Sequence, residues 1–122
     1  MRSQLEVNAS RLEYLDKLNK ALPEVMTHES AKWDSVYAEA ALSTKVKRLV
    51  ALGIALRARC ENCIVGQTMR ALDAGATRAE ILETIAVNMA MSGTTGIAES
   101  LRVLKLLEEL DQEETTSAHS EV

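Results

Sequence analysis

The sequence predicts an all-α fold, and three observations predict it. Large aromatic side chains are nearly absent: among 122 residues there is no Phe, one Trp (Trp33) and two Tyr (Tyr14 and Tyr37). Aromatic residues normally supply large shares of buried area, so this core is best built by close helix packing around Ala and Leu. The aromatic and β-branched residues that strands favour are sparse. Finally, apolar residues recur at spacings of three and four in one segment after another, the period of a helix.

Leu5, Ala9, Leu12, Leu15, Leu18 and Leu22 form such a stripe and predict a first helix over residues 4–22. Pro23 ends it or opens the next element as a first-turn residue. A second helix follows over 23–41, with Val25, Met26, Trp33, Val36, Tyr37 and Ala40 as its apolar set and Trp33 as a packing anchor in the core. Ser43 or Thr44 reads as the N-cap of a third helix over 44–59. From Leu49 to Leu56 that helix is apolar all round, which implies burial on every side. A domain of this size cannot easily cover such a helix alone, so neighbouring subunits are expected to cover part of it. Gly53 would allow a close helix approach, at about 1 kcal/mol relative to Ala.

A fourth helix runs from Cys60-Glu61-Asn62-Cys63 to about Ala74, and Gly75 is a natural residue just past its end. Thr77-Arg78-Ala79-Glu80 is a capping-box pattern, which opens a fifth helix carrying Ile81, Leu82, Ile85, Met89 and Ser92. Ser92-Gly93-Thr94-Thr95-Gly96 breaks the pattern. The sixth helix, over 97–110, is expected to bury Leu101, Val103, Leu104, Leu107 and Leu110. The expected organisation is one helical domain over 1–110 and a polar acidic tail over 111–122, read as disordered.

The formal charge of −4 argues against nucleic acid as a partner, since such proteins usually carry a basic face. No apolar run approaches the ~20 residues of a membrane span. The N-terminus lacks the apolar stretch of a secretory signal, so a cytoplasmic location is expected. In that reducing setting a lone Cys-x-x-Cys is more often redox-active or metal-binding than a structural disulfide.

Cys60 and Cys63 are therefore the centre of the chemical argument. Two thiols three apart can close a ring within one helical turn, and a helix start favours the thiolate of the first. Arg57 and Arg59 add positive charge nearby, and Glu61 opposes them. The alternative is two small buried hydrophobes that happen to fall three apart. A zinc site usually needs four ligands, and His28 and His119 lie far away in sequence, so neither metal nor cofactor is expected.

Residues 42–96 carry more than the cysteine pair. Leu42-Ser43-Thr44-Lys45-Val46-Lys47-Arg48-Leu49-Val50-Ala51-Leu52 leads into Arg59-Cys60-Glu61-Asn62-Cys63-Ile64, and Ala71-Leu72-Asp73-Ala74-Gly75-Ala76-Thr77-Arg78-Ala79-Glu80-Ile81-Leu82-Glu83 follows. This order resembles the carboxymuconolactone decarboxylase superfamily, which includes alkylhydroperoxidase D. The resemblance implies a helical subunit assembling into a trimer or hexamer. In the alkylhydroperoxidase D branch it implies a thiol peroxidase and disulfide reductant. One cysteine attacks a peroxide, its sulfenic acid condenses with the other, and a separate protein reductant restores the dithiol.

Two positions depart from that branch. A histidine is expected four residues after the second cysteine, where this chain has Gln67, and a glutamate is expected where it has Arg48. Gln67 does not titrate near neutral pH, and Arg48 is a poor base. General acid–base help is typically worth ~10²–10⁴-fold, so a weak or altered peroxidase is expected. Arg48 reads either as an anion- or thiolate-stabilising charge or as a solvated surface residue. Glu61 reads either as a substitute proton carrier or as an exposed carboxylate at a helix start. The candidate catalytic set is Cys60, Cys63, Gln67, Arg48 and Glu61, acting on a small peroxide or disulfide. The competing functions are a non-redox enzyme on small anions, as in the decarboxylase branch, and a non-catalytic oligomeric binding protein.

Overall fold

A computed structural model describes the backbone of residues 1–120 and the side chains of residues 1–116; Glu121 and Val122, the end of the expected tail, lie outside the described residues. The chain forms α1 (Gln4–Ala21), α2 (Pro23–Tyr37), α3 (Thr44–Ala58), α4 (Glu61–Asp73), α5 (Arg78–Ser92) and α6 (Thr94–Ser120). Among the described residues there is no strand. The all-α expectation holds, and local chemistry explains most of the boundaries. Ser3 caps α1 by accepting the Glu6 N–H, and Ser43 caps α3 by accepting the Val46 N–H. Thr77 and Glu80 form the expected capping box at the start of α5. Gly75 follows α4 with φ 93°, a backbone region open to glycine without strain.

The core lies where α3, α4, α5 and α6 meet. Leu52 and Leu56 of α3, Ile64 and Ala71 of α4, Ile81 and Ile85 of α5, and Val103 and Leu107 of α6 are all buried there. A second cluster of Val7, Val65 and Leu106 attaches α1 to α4 and α6. The α5–α6 crossing depends on Gly96: a Cβ there would come within 3.0 Å of the Asn88 backbone oxygen and Nδ2. Its carbonyl accepts the Ser100 hydroxyl at 2.7 Å.

Several expectations are corrected. Helix α2 stops at Tyr37 rather than residue 41, because its last carbonyls find other donors. Thr44 Oγ1 donates to the Tyr37 carbonyl at 2.6 Å, and Lys47 Nζ donates to those of Val36 and Ala38 at 2.8 and 2.7 Å. Leu5 of the α1 stripe packs against the second cluster, but most of the stripe does not face the core. Leu12, Leu18 and Leu22 are exposed, and Gln4, Val7 and Asn8 are buried in their place. Trp33 is 37% exposed and anchors no core. Leu82 and Met89 of α5, and Leu101 and Leu104 of α6, are exposed as well. In α3, Leu52, Ala55 and Leu56 are buried, whereas Val50 and Ile54 are 51% and 65% exposed. The break expected over residues 92–96 contracts to Gly93, after which α6 begins at once. That helix also continues past Leu110 to Ser120, so residues 111–120 are helical. No Gly or Pro interrupts this stretch, and Gln and Glu propagate a helix well even without an apolar face. Arg78 of α5 also pairs with Asp111.

Candidate functional site

Helix α3 ends in a left-handed residue, Arg59, with φ 57° and ψ 38°. The Arg59 N–H returns to the Leu56 carbonyl at 3.2 Å and the Cys60 N–H to that of Ala55 at 3.3 Å. This closed turn leaves Cys60 as the N-cap of α4, where its Sγ accepts the Cys63 N–H at 3.3 Å. Cys60 and Cys63 are joined in a disulfide, with Cα atoms 5.1 Å apart. The two residues differ in exposure: Cys60 is half-buried and Cys63 is exposed.

Cys63 opens onto a cavity of about 510 Å³, also lined by Arg11, Asn62, Gly66, Gln67 and Arg70. A second cavity of about 410 Å³ lies beside it, lined by Arg11, Trp33, Asp34, Tyr37, Arg48 and Arg70 among others. The two share a wall made by Arg11, Leu15, Trp33, Gln67 and Arg70. Gln67 therefore faces both the cysteine side and the arginine side. Its side-chain oxygen accepts a hydrogen bond from Arg48 Nη1 at 3.2 Å. The Arg48 guanidinium also lies over the Tyr37 ring, 3.4 Å from its centre. Burial and the nearby charge of Arg70 hold Arg48 below its ordinary value, and the same two causes act on Arg11.

Among the sequence-selected residues, Cys63 and Gln67 thus line one of two adjoining cavities and Arg48 and Gln67 the other, with Cys60 bonded to Cys63. Arg48 is partly buried and engaged, so the surface-arginine alternative does not describe it. Glu61 stands apart. It is half-buried, bridges Arg2 and Arg102, and lines neither cavity. The alternative of an exposed helix-start carboxylate is corrected accordingly. Arg57 and Arg59 are exposed and line neither cavity, whereas Arg11 and Arg70 line the one onto which Cys63 opens and bring positive charge there. Arg70 could have been found from sequence, since residues 63, 67 and 70 fall on one helical face. Arg11 gave no local signal, because only the packing of α1 on α4 brings it to Gly66. His28 is exposed on α2 and lines neither cavity. The His119 side chain lies outside the described residues. Among the described residues no three His, Cys, Asp or Glu side chains group closely enough to hold a metal ion.

A third cavity, of about 660 Å³, lies between α3 and α5 and is apolar, with Val46, Val50, Ile54, Val87 and Met91 among its walls. Among the described residues no helix is long and apolar enough to cross a membrane.

Residues 23–106 match the carboxymuconolactone decarboxylase family. The chain is 34% identical over 76 residues to an uncharacterized protein of the cox locus of Paracoccus denitrificans, covering 62% of this chain and 68% of that one. It is 28% identical over 94 residues to an uncharacterized protein of Cupriavidus necator, covering 77% and 83%. A crystal structure of a carboxymuconolactone decarboxylase family protein from Legionella pneumophila superposes with a TM-score of 0.81 at 28% identity, covering 87% of this chain and 95% of that one. A family protein from Thermotoga maritima, for which involvement in an antioxidative response has been suggested, superposes with a TM-score of 0.75 at 28% identity, covering 88% and 95%.

Proposed function

This chain belongs to the carboxymuconolactone decarboxylase family, and from that premise we propose that it is a thiol–disulfide oxidoreductase with weak peroxidase activity. The observation that carries the reading is the Cys60–Cys63 bond at the start of α4, with Cys63 opening on a cavity and Cys60 bonded to it. The suggested antioxidative role of the Thermotoga maritima relative agrees with it.

The difference in exposure divides the roles. Cys63, the more exposed residue and the one that lines the cavity, attacks the distal oxygen of a hydroperoxide as a thiolate. The O–O bond breaks, the departing alkoxide takes a proton and leaves as an alcohol, and Cys63 becomes a sulfenic acid. The Cys60 thiolate then displaces hydroxide from that sulfenic acid, which leaves as water once protonated, and the disulfide forms. The N-cap position favours Cys60 as a thiolate, because the Cys63 N–H already points at its sulfur. A protein dithiol reverses the change: it attacks Cys63, expels the Cys60 thiolate, and leaves as its own disulfide. A cytoplasmic setting would supply such a reductant.

Arg48 and Gln67 occupy the region between the cavities but offer no group that titrates near neutral pH. Proton transfer is then left to solvent, and turnover is slow. The subunit is proposed to act as a homo-oligomer, with the exposed apolar residues Val50, Ile54 and Met91 covered by neighbouring copies.

Counting free thiols before and after peroxide tests the reading, in the wild type and in the Cys60→Ser and Cys63→Ser variants. Loss of two thiols from the reduced wild type, with no intramolecular disulfide in either variant, is the expected result. Thiols that stay inert while the protein remains folded would defeat the proposal.

A further inference from the structure

We infer that Arg11, Arg48 and Arg70 form a carboxylate-recognition site, and that the oxidant consumed at Cys63 is an organic hydroperoxide carrying a carboxylate. Three guanidinium groups line one cavity of about 410 Å³ in a protein whose net charge is −4. Among the described residues, none of the three lies within ion-pair distance of a carboxylate. Asp34 lines the same cavity but is not paired with them. The hydrogen bonds of Arg11 and Arg48 go to neutral oxygens. Arg11 donates to Asn8 Oδ1 at 3.2 and 2.9 Å, and Arg48 donates to Gln67. Three like charges beside a single unpaired carboxylate oppose folding, which makes the cluster a site for an anion and not a structural device.

Two of the three heads are also held in place, while Arg70 is exposed. A Cβ on Gly66 would meet the Arg11 guanidinium at 3.1 Å, so the absence of a side chain there is what lets Arg11 lie against α4. Arg48 is fixed on the face of Tyr37. Planar guanidinium groups match a carboxylate in two-point geometry. Leu15 and Trp33, in the shared wall, offer apolar surface for the body of an organic molecule. Arg11 and Arg70 also line the cavity onto which Cys63 opens, so a molecule held there by its carboxylate can present its peroxide to Cys63. Hydrogen peroxide would have no use for such an arrangement. The site stands by itself, whereas the choice of substrate rests on the oxidoreductase reading.

Calorimetric titration of the full-length disulfide form with benzoate, benzamide and inorganic phosphate tests the site without any turnover. Benzoate should bind once per chain, at least about tenfold more tightly than benzamide, and Arg70→Gln should weaken it about tenfold. Arg11→Gln is the second variant and should do the same. Equal binding of benzoate and benzamide, or no effect of either substitution, would overturn the site. Phosphate binding more tightly than benzoate would overturn the carboxylate assignment in favour of a phosphate ester. A second experiment compares oxidation of the reduced protein by a carboxylate-bearing aryl hydroperoxide and by its methyl ester. The acid should react about tenfold faster at low concentration, and Arg70→Gln should bring the ratio toward one. A ratio of one in the wild type overturns the substrate assignment. If neither peroxide oxidises the thiols, the oxidoreductase reading and the substrate assignment fall together, while the benzoate titration still decides the site.

Discussion

Arg48 of α3 and Gln67 of α4 are nineteen positions apart in sequence, yet Arg48 Nη1 donates to the Gln67 side-chain oxygen at 3.2 Å. Gln67 lies one helical turn after Cys63 on the same face of α4, and both line one cavity. A proton relay running from α3 to the cysteine pair would pass through these two positions. In this chain they hold a fixed positive charge and a neutral amide, which bind and orient but do not exchange protons at neutral pH.

That relationship predicts a gain of function. With hydrogen peroxide, which does not need the arginine cluster, replacing the pair by Arg48→Glu and Gln67→His together should speed disulfide formation on the order of 10²-fold, the lower range of general acid–base help. Each single change should gain less, because a glutamate or an imidazole alone supplies half a relay. Stopped-flow measurement of thiol loss at neutral pH reads the rate. An unchanged rate in the double variant would mean that proton transfer does not limit the reaction.

Glu61 is expected to anchor the fold, with no part in proton transfer. It joins Arg2 at the N-terminus and Arg102 on α6 to the start of α4. Glu61→Gln should lower stability by about 1 kcal/mol or less, as for a partly exposed ion pair, and leave the pH profile of thiol oxidation in place. A profile that moves would return Glu61 to the proton-carrying role considered from sequence.

The exposed apolar face of α3 and α5 should be an assembly surface. Ile54 is 65% exposed and Met91 is 79% exposed, and both line the cavity between those helices. Ile54→Asp should therefore leave the helix content intact and reduce the mass measured by light scattering. A wild-type protein that is already a monomer at micromolar concentration would refute the expectation of a trimer or hexamer.

The capping box of α5 should contribute measurably to stability. Thr77 Oγ1 accepts the Glu80 N–H at 3.1 Å, and Glu80 Oε1 accepts the Thr77 N–H at 2.8 Å. Thr77→Ala should cost about 1 kcal/mol, seen as a fall in Tm of roughly 4 °C for a domain of this size. The backbone bond from Thr77, followed by Lys45, holds the Glu80 carboxyl below its ordinary value. A depressed carboxylate stabilises the fold above its unfolded value, and the stabilisation disappears as pH falls through the folded value. The gap between wild type and Glu80→Ala should accordingly be open at neutral pH and close in strong acid. Denaturant titrations across that range would measure it.

Much of the framework was legible in the sequence because local chemistry sets it. Caps at Ser43 and Thr77, the glycine at 75 and the helical period fixed the order of six helices, since each signal acts within a turn or two of itself. The cysteine pair was legible for the same reason, as both sulfurs belong to one turn of α4. What periodicity could not decide was which apolar face turns inward. Leu12, Leu18, Leu101 and Leu104 repeat at helical spacing just as buried residues do, and only the packing of neighbouring helices left them outside. The setting of the cysteines was likewise a matter of tertiary structure. Arg11 comes from α1, Arg48 from α3 and Arg70 from α4, and no local rule joins three such distant positions. The sequence by itself determined most of the helices and the placing of two sulfurs in one turn, because both depend on neighbours along the chain. Only the tertiary structure decided which charges surround those sulfurs, because that depends on contacts between helices.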